Sequence, residues 1–124
     1  MQKGYLENIE EKTLANEHYR EVLYTGPDSQ LVVMSLKPGE EIGEEAHDID
    51  QFIRFEAGLG EVFIDGERGE VTDGFAIIVP RGAMHNVKNI GQNNLKLYTI
   101  YSAPQHPEGT VHKTKADSVE DEGH

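Results

Sequence analysis

Short apolar runs recur along the chain at intervals of eight to twelve residues, with turn-forming residues between them. The runs are Tyr19–Tyr24, Leu31–Leu36, Gln51–Phe55, Glu61–Ile64, Phe75–Val79 and Leu95–Tyr101. Between them fall Gly26-Pro27-Asp28-Ser29, Lys37-Pro38-Gly39, Asp65-Gly66, Asp73-Gly74, Pro80-Arg81-Gly82 and Gly91-Gln92-Asn93-Asn94. Strands of four to seven residues punctuated in this way predict an all-β sandwich or barrel. Asp65-Gly66 has the composition of a two-residue hairpin turn. Ile9–Asn16 is helix-compatible but only one or two turns long, and is expected as a loop or short 3₁₀ turn. After Ala103 the prolines Pro104 and Pro107 and the glycine Gly109 interrupt any strand. Residues 117–124 are acidic and almost devoid of apolar side chains, which predicts a disordered tail. The expected organisation is one domain over residues 1–116, with an N-terminal strand and a C-terminal extension, followed by that tail.

Composition narrows the chemistry. The 124 residues carry 23 acidic against 11 basic side chains, a formal charge of −12, and the mass is 13.9 kDa. At that mass about two-thirds of the unfolded surface is buried on folding, so a core forms without cross-links. There is no cysteine, which excludes disulfides, thiolate metal sites and cysteine nucleophiles. The acidic balance argues against nucleic-acid partners. No apolar run is long enough for a membrane span, and Met1-Gln2-Lys3-Gly4-Tyr5 lacks a secretory pattern, so a cytoplasmic protein is expected.

Two segments carry the candidate chemistry. Gly74-Phe75-Ala76-Ile77-Ile78-Val79-Pro80-Arg81-Gly82-Ala83-Met84-His85-Asn86-Val87-Lys88-Asn89 resembles the second motif of the cupin superfamily, G-x5-P-x-G-x2-H-x3-N, at every defined position. The first cupin motif, G-x5-H-x-H-x3,4-E-x6-G, aligns on Gly39, Glu45, His47, Gln51 and Gly58. Its first histidine is replaced by Glu45 and its glutamate by Gln51. The resemblance implies a double-stranded β-helix, the cupin jelly-roll barrel, binding one divalent metal through Glu45, His47, Gln51 and His85. It also implies pairing into a homodimer through an edge strand and an apolar sheet face.

Strand periodicity agrees with that ligand set. Residues two apart share a face, so Glu45 and His47 point together, Gln51 groups with Ile53 and Phe55, and His85 groups with Val87. The usual three histidines and one glutamate carry a net charge of −1, and so do Glu45, Gln51 and two neutral histidines. The loss of one imidazole weakens zinc and nickel relative to iron(II) or manganese(II). Glutamine in the glutamate position also resembles some uronate-converting cupins of pectin breakdown, from which Glu45 is a departure.

The resulting expectation is a small metalloenzyme acting on a small oxygen-rich substrate, a carboxylate or sugar derivative, by isomerase, lyase or dioxygenase chemistry, with Glu45 as catalytic base. A non-catalytic module that binds a metabolite or metal is the alternative, and an empty structural barrel is a third reading. No cluster of Arg or Lys accompanies the site, so a sugar phosphate is not indicated. Arg54 and Phe52 fall on the face opposite Gln51, where Arg54 is expected to be solvated or at an interface and Phe52 to be covered by a partner subunit or the N-terminal strand. Tyr98 is a candidate pocket residue with core packing as the default. His106 and His112 belong to a segment that either folds over the barrel mouth as a lid or packs outside it. His18 and His124 are expected at the surface, and Glu40, Glu41 and Glu44 form a solvated rim.

Overall fold

The alternating pattern condenses into nine strands among the described residues, which in this computed structural model are residues 3–122. They are β1 (Arg20–Thr25), β2 (Gln30–Leu36), β3 (Asp50–Ala57), β4 (Gly60–Ile64), β5 (Glu67–Val71), β6 (Ala76–Val79), β7 (His85–Asn89), β8 (Leu95–Ser102) and β9 (Val111–His112). Six form one antiparallel sheet in the order β6-β3-β8-β2-β1-β9, and three form a second in the order β5-β4-β7. The segment before β3 extends the smaller sheet irregularly, through bridges Glu41↔Lys88 and Glu45↔His85.

The core lies between the sheets. Val32, Met34, Ile53, Phe55, Leu97 and Tyr101 come from the larger sheet and meet Val62, Val71 and Val87 from the smaller. Phe55 and Leu97 are wholly buried, and a side chain of that size contributes about 1.5–3 kcal/mol on burial. In β3 the residues Gln51, Ile53 and Phe55 face inward while Phe52 and Arg54 face outward, as the period-2 pattern requires. The result is an all-β jelly-roll barrel.

Two motif residues serve this frame. Gly58 adopts φ +100°, and a Cβ there would meet the Asn94 carbonyl oxygen at 2.8 Å. No larger residue fits where β3 turns away from β8. Asn89 is fully buried and its Nδ2 donates to the carbonyls of Leu36 and Asn93 at 2.9 and 2.8 Å. It ties two loops to the barrel floor. Asp65-Gly66 forms the expected hairpin, with φ +47° and +84°.

The ends depart from expectation. Ile9–Ala15 is an α-helix, α1, rather than a loop or 3₁₀ turn, because Asn8 caps it by accepting from the Glu11 N–H and acidic residues occupy its first turn. It packs across β2, β3 and β8, so among the described residues a helix, not a strand, precedes β1. Lys115–Glu122 forms a second helix, α2, across most of the stretch expected to be disordered. Thr114 Oγ1 accepts from the Asp117 N–H while the Asp117 carboxylate accepts from the Thr114 N–H, a reciprocal cap that low hydrophobicity concealed. Ser118 is buried beneath it. His124, expected at the surface, lies outside the described residues. No helix among them is long and apolar enough to cross a membrane.

Candidate metal centre

His85 opens β7 directly after the Pro80–Gly82 turn and points into the barrel, 4 % exposed. Its Nδ1 lies 3.1 Å from the Ala83 carbonyl oxygen, which can only accept, so the proton is on Nδ1. Nε2 is left with a free lone pair facing inward. Opposite it, Glu45 exchanges two backbone hydrogen bonds with His85, at 2.9 and 3.0 Å. That pairing brings Glu45 Oε1 to 3.8 Å from His85 Nε2 and 3.3 Å from His47 Nε2. The ligand atoms of Glu45, His47 and His85 all lie within 4.8 Å of one another.

Gln51 is 3 % exposed on the inward face of β3. Its Nε2 donates to Thr99 Oγ1 at 2.9 Å, and Thr99 in turn donates to the Phe52 carbonyl at 2.8 Å. The threonine proton is committed, so the amide must present its nitrogen to Thr99 and turn its oxygen the other way. Gln51 Oε1 and His85 Nε2 are buried with no hydrogen-bond partner, and His47 Nε2 has only the 3.3 Å approach to Glu45 Oε1. Buried polar atoms without partners are rare, and a divalent cation would satisfy all three. The donor set of two imidazoles, a carboxylate and an amide oxygen fits such an ion.

The electrostatics agree. Burial alone would raise the Glu45 pKa, but the nearby His47, and then His85 and Arg20, outweigh it and hold the carboxyl below its ordinary value. Glu45 is therefore ionised at neutral pH.

Four further residues complete the pocket, and of these sequence reasoning placed only His106, in the segment that either caps the barrel mouth or packs outside it. Tyr101, rather than Tyr98, faces inward and packs edge-on against His47 at 5.5 Å between ring centres. Tyr98 lies on the outer face against Phe52. Burial, reinforced by the charge of Glu45, raises the Tyr101 pKa and keeps the phenol protonated. His106 packs edge-on against the other side of Tyr101, also at 5.5 Å, so its segment closes over the barrel mouth. Gln30, fully buried, clamps that segment: its Oε1 accepts from the Gln105 and His106 N–H groups and its Nε2 donates to the His106 carbonyl. Arg20 enters from β1 and is 3 % exposed. Its Nη1 lies 3.3 Å from Nδ1 of His112, which is buried in β9. The inward pattern of β1 and β2 was the available signal for Arg20 and Gln30, and it was masked by their polarity.

The remaining candidates lie elsewhere. Arg54 pairs with Glu56 on the outer face at 2.8 Å, and His18 pairs with Glu21 at 3.1 Å. Of the acidic rim, Glu40 accepts from the Lys37 N–H and Glu41 from Asn86, whereas Glu44 is exposed.

The profile of the family described as "Cupin domain" matches residues 32–101, more than half of the chain, and the chain belongs to that family. It is 46 % identical over 124 residues to the uncharacterized protein YrkC of Bacillus subtilis, spanning 94 % of this chain and 67 % of YrkC. The crystal structure of BH2720 from Bacillus halodurans is 44 % identical and superimposes with a TM-score of 0.93 over 96 % of each chain. KdgF from Halomonas sp. shares the fold at 22 % identity, with a TM-score of 0.63 over 69 % of this chain and 79 % of its own.

Gln30→Leu removes the three hydrogen bonds that hold residues 105 and 106. We expect amide exchange over residues 103–110 to accelerate by about tenfold or more, consistent with the loss of at least one buried hydrogen bond. Unchanged exchange there would show that the clamp does not hold the segment.

Proposed function

We propose that the protein binds one divalent metal through Glu45, His47, Gln51 and His85 and acts as a small metalloenzyme on an oxygen-rich small molecule. The observation that carries this reading is the convergence of buried, unpartnered acceptor atoms beside an ionised carboxylate. Two nitrogens and two oxygens favour iron(II) or manganese(II), with zinc and nickel as the competitors. Such an ion supplies Lewis acidity for isomerase or lyase chemistry and, if it is iron, access to oxygen-dependent cleavage.

The chain's own contributions follow from the geometry. His85 is fixed as a donor by Ala83, and Gln51 by Thr99. Glu45 is the carboxylate placed to accept a proton from a bound substrate, and Tyr101 stays protonated. Gln30 holds His106 against Tyr101, which restricts water at the mouth. The reading places the protein in the cytoplasm, with neither nucleic acid nor a membrane as partner.

A homodimer belongs to the same reading. Ile78, Phe52, Ile100 and Leu31 stand directly opposite one another across β6, β3, β8 and β2. They form an apolar row on the outer face, and Ile78 on the edge strand is 66 % exposed. Ile78→Asp should convert a dimer to a monomer in light scattering. Wild-type protein that is monomeric at micromolar concentration would contradict the pairing.

Metal content tests the function. Untagged protein purified in low-metal buffer is expected to carry, or take up on addition of iron(II) or manganese(II), about one ion per chain by elemental mass spectrometry. In His85→Ala the content should fall below roughly a tenth. Wild-type protein below that level even after metal addition would overturn the reading and leave the metal-free binding module in its place.

A further inference from the structure

Arg20 is a charge in the wrong place for a structural residue. It stands on the inward face of β1 with Val22, opposite Met34 on one side and His112 on the other. Its guanidinium carbon lies 5.3 Å from the centre of the Tyr19 ring. Among the described residues its one side-chain hydrogen-bond contact is the 3.3 Å approach to His112 Nδ1. The Arg20 Nε is shut off from solvent without a partner. Among the described residues no carboxylate lies within 4 Å of the guanidinium. A buried ion without a contact counter-ion or full hydrogen bonding is strongly unfavourable; the Glu45 carboxylate feels its charge but lies beyond contact distance, which leaves room for the negative group of a ligand.

The surroundings show where that ligand sits. The guanidinium is buried on the inward face of β1, within electrostatic reach of Glu45, Tyr101 and His106, so it faces the same interior as the Glu45–His47–His85 cluster. His106 presents a second buried and unpartnered atom, Nε2. With a divalent cation, the charges of the metal, Arg20 and Glu45 sum to +2, a site that selects anions.

We propose that Arg20 is the anchor for a carboxylate group of the substrate, whose remaining oxygens reach the Glu45–His47–His85 cluster, so that the protein acts on a small hydroxy- or oxo-carboxylate. The assignment rests on the metal-site reading above and narrows it from oxygen-rich molecules in general to acids. One guanidinium fork matches one monoanionic carboxylate in geometry and in charge. A phosphate monoester is held by several Arg or Lys side chains, and this interior offers one guanidinium fork. The buried lysine among the described residues, Lys96, is already engaged by Glu17 and the Asn16 carbonyl.

The test compares glycolate with glycolamide, in which a neutral amide of nearly the same size replaces the carboxylate, and with inorganic phosphate. Each is titrated by calorimetry into manganese-loaded and metal-free protein, for the wild type and for Arg20→Met and Arg20→Lys. We expect the loaded wild type to prefer glycolate over glycolamide by about tenfold or more. Arg20→Met should lose that preference while keeping one manganese per chain, and should unfold no earlier than wild type in anion-free buffer, because it removes an uncompensated charge. Should Arg20→Met not fold, Arg20→Lys decides: a preference for glycolate weakened several-fold supports the anchor, and an affinity equal to wild type overturns it. Arg20→Met that binds glycolate as wild type does, or phosphate that binds more tightly than glycolate through Arg20, also overturns it. Wild-type protein that takes up no manganese contradicts the metal reading alone. Glycolate binding to metal-free protein that disappears in Arg20→Met would then still uphold the anchor.

Discussion

Burying a polar atom in a protein interior is tolerated only when something answers it, and this barrel buries several that its own chain leaves unanswered. His85 Nε2 and Gln51 Oε1 lack partners, although the fold takes care to orient both of them. The Ala83 carbonyl fixes the tautomer of His85, and Thr99 fixes the amide of Gln51. Hydrogen bonds that aim acceptors into an enclosed space are what a cation site requires. The closing segment, the ionised Glu45 and the buried Arg20 all take their meaning from that arrangement.

The exchange of ligand types within the motif has a structural logic. Glu45 sits on the irregular segment paired with β7, and its backbone is locked to His85 itself. A carboxylate at that position is held against both imidazoles. The amide at Gln51 then avoids a second negative charge at a site that keeps one carboxylate and two neutral rings. The net charge expected of the cluster is preserved while the carboxylate changes position within the same barrel.

The barrel itself was legible because its signals are local. Alternation in β3, the Asp65-Gly66 turn and the glycine-bearing motifs each act over a few residues, and each was reproduced by the fold. Glu45, His47 and His85 were legible for the same reason, since motif spacing encodes which face they share. What escaped were features fixed by contacts distant in sequence. Arg20 and Gln30 occupy inward positions that look like core in their strands and polar in composition. They acquire roles only through His112 and His106, more than seventy residues away. Tyr101 replaced Tyr98 as the pocket residue because strand register, not residue type, decides which face is inside. The two helices were hidden because their stability resides in caps at Asn8 and Thr114 rather than in an apolar stripe.

The central claim is that the buried acceptors converge on one metal ion. It is tested most directly by anomalous diffraction at the manganese edge from crystals of the manganese-loaded protein. The account predicts a single strong peak inside the barrel, about 2.0–2.3 Å from His47 Nε2, His85 Nε2, a Glu45 oxygen and Gln51 Oε1. A barrel without a peak, or manganese held only by exposed carboxylates such as Glu44, would contradict it.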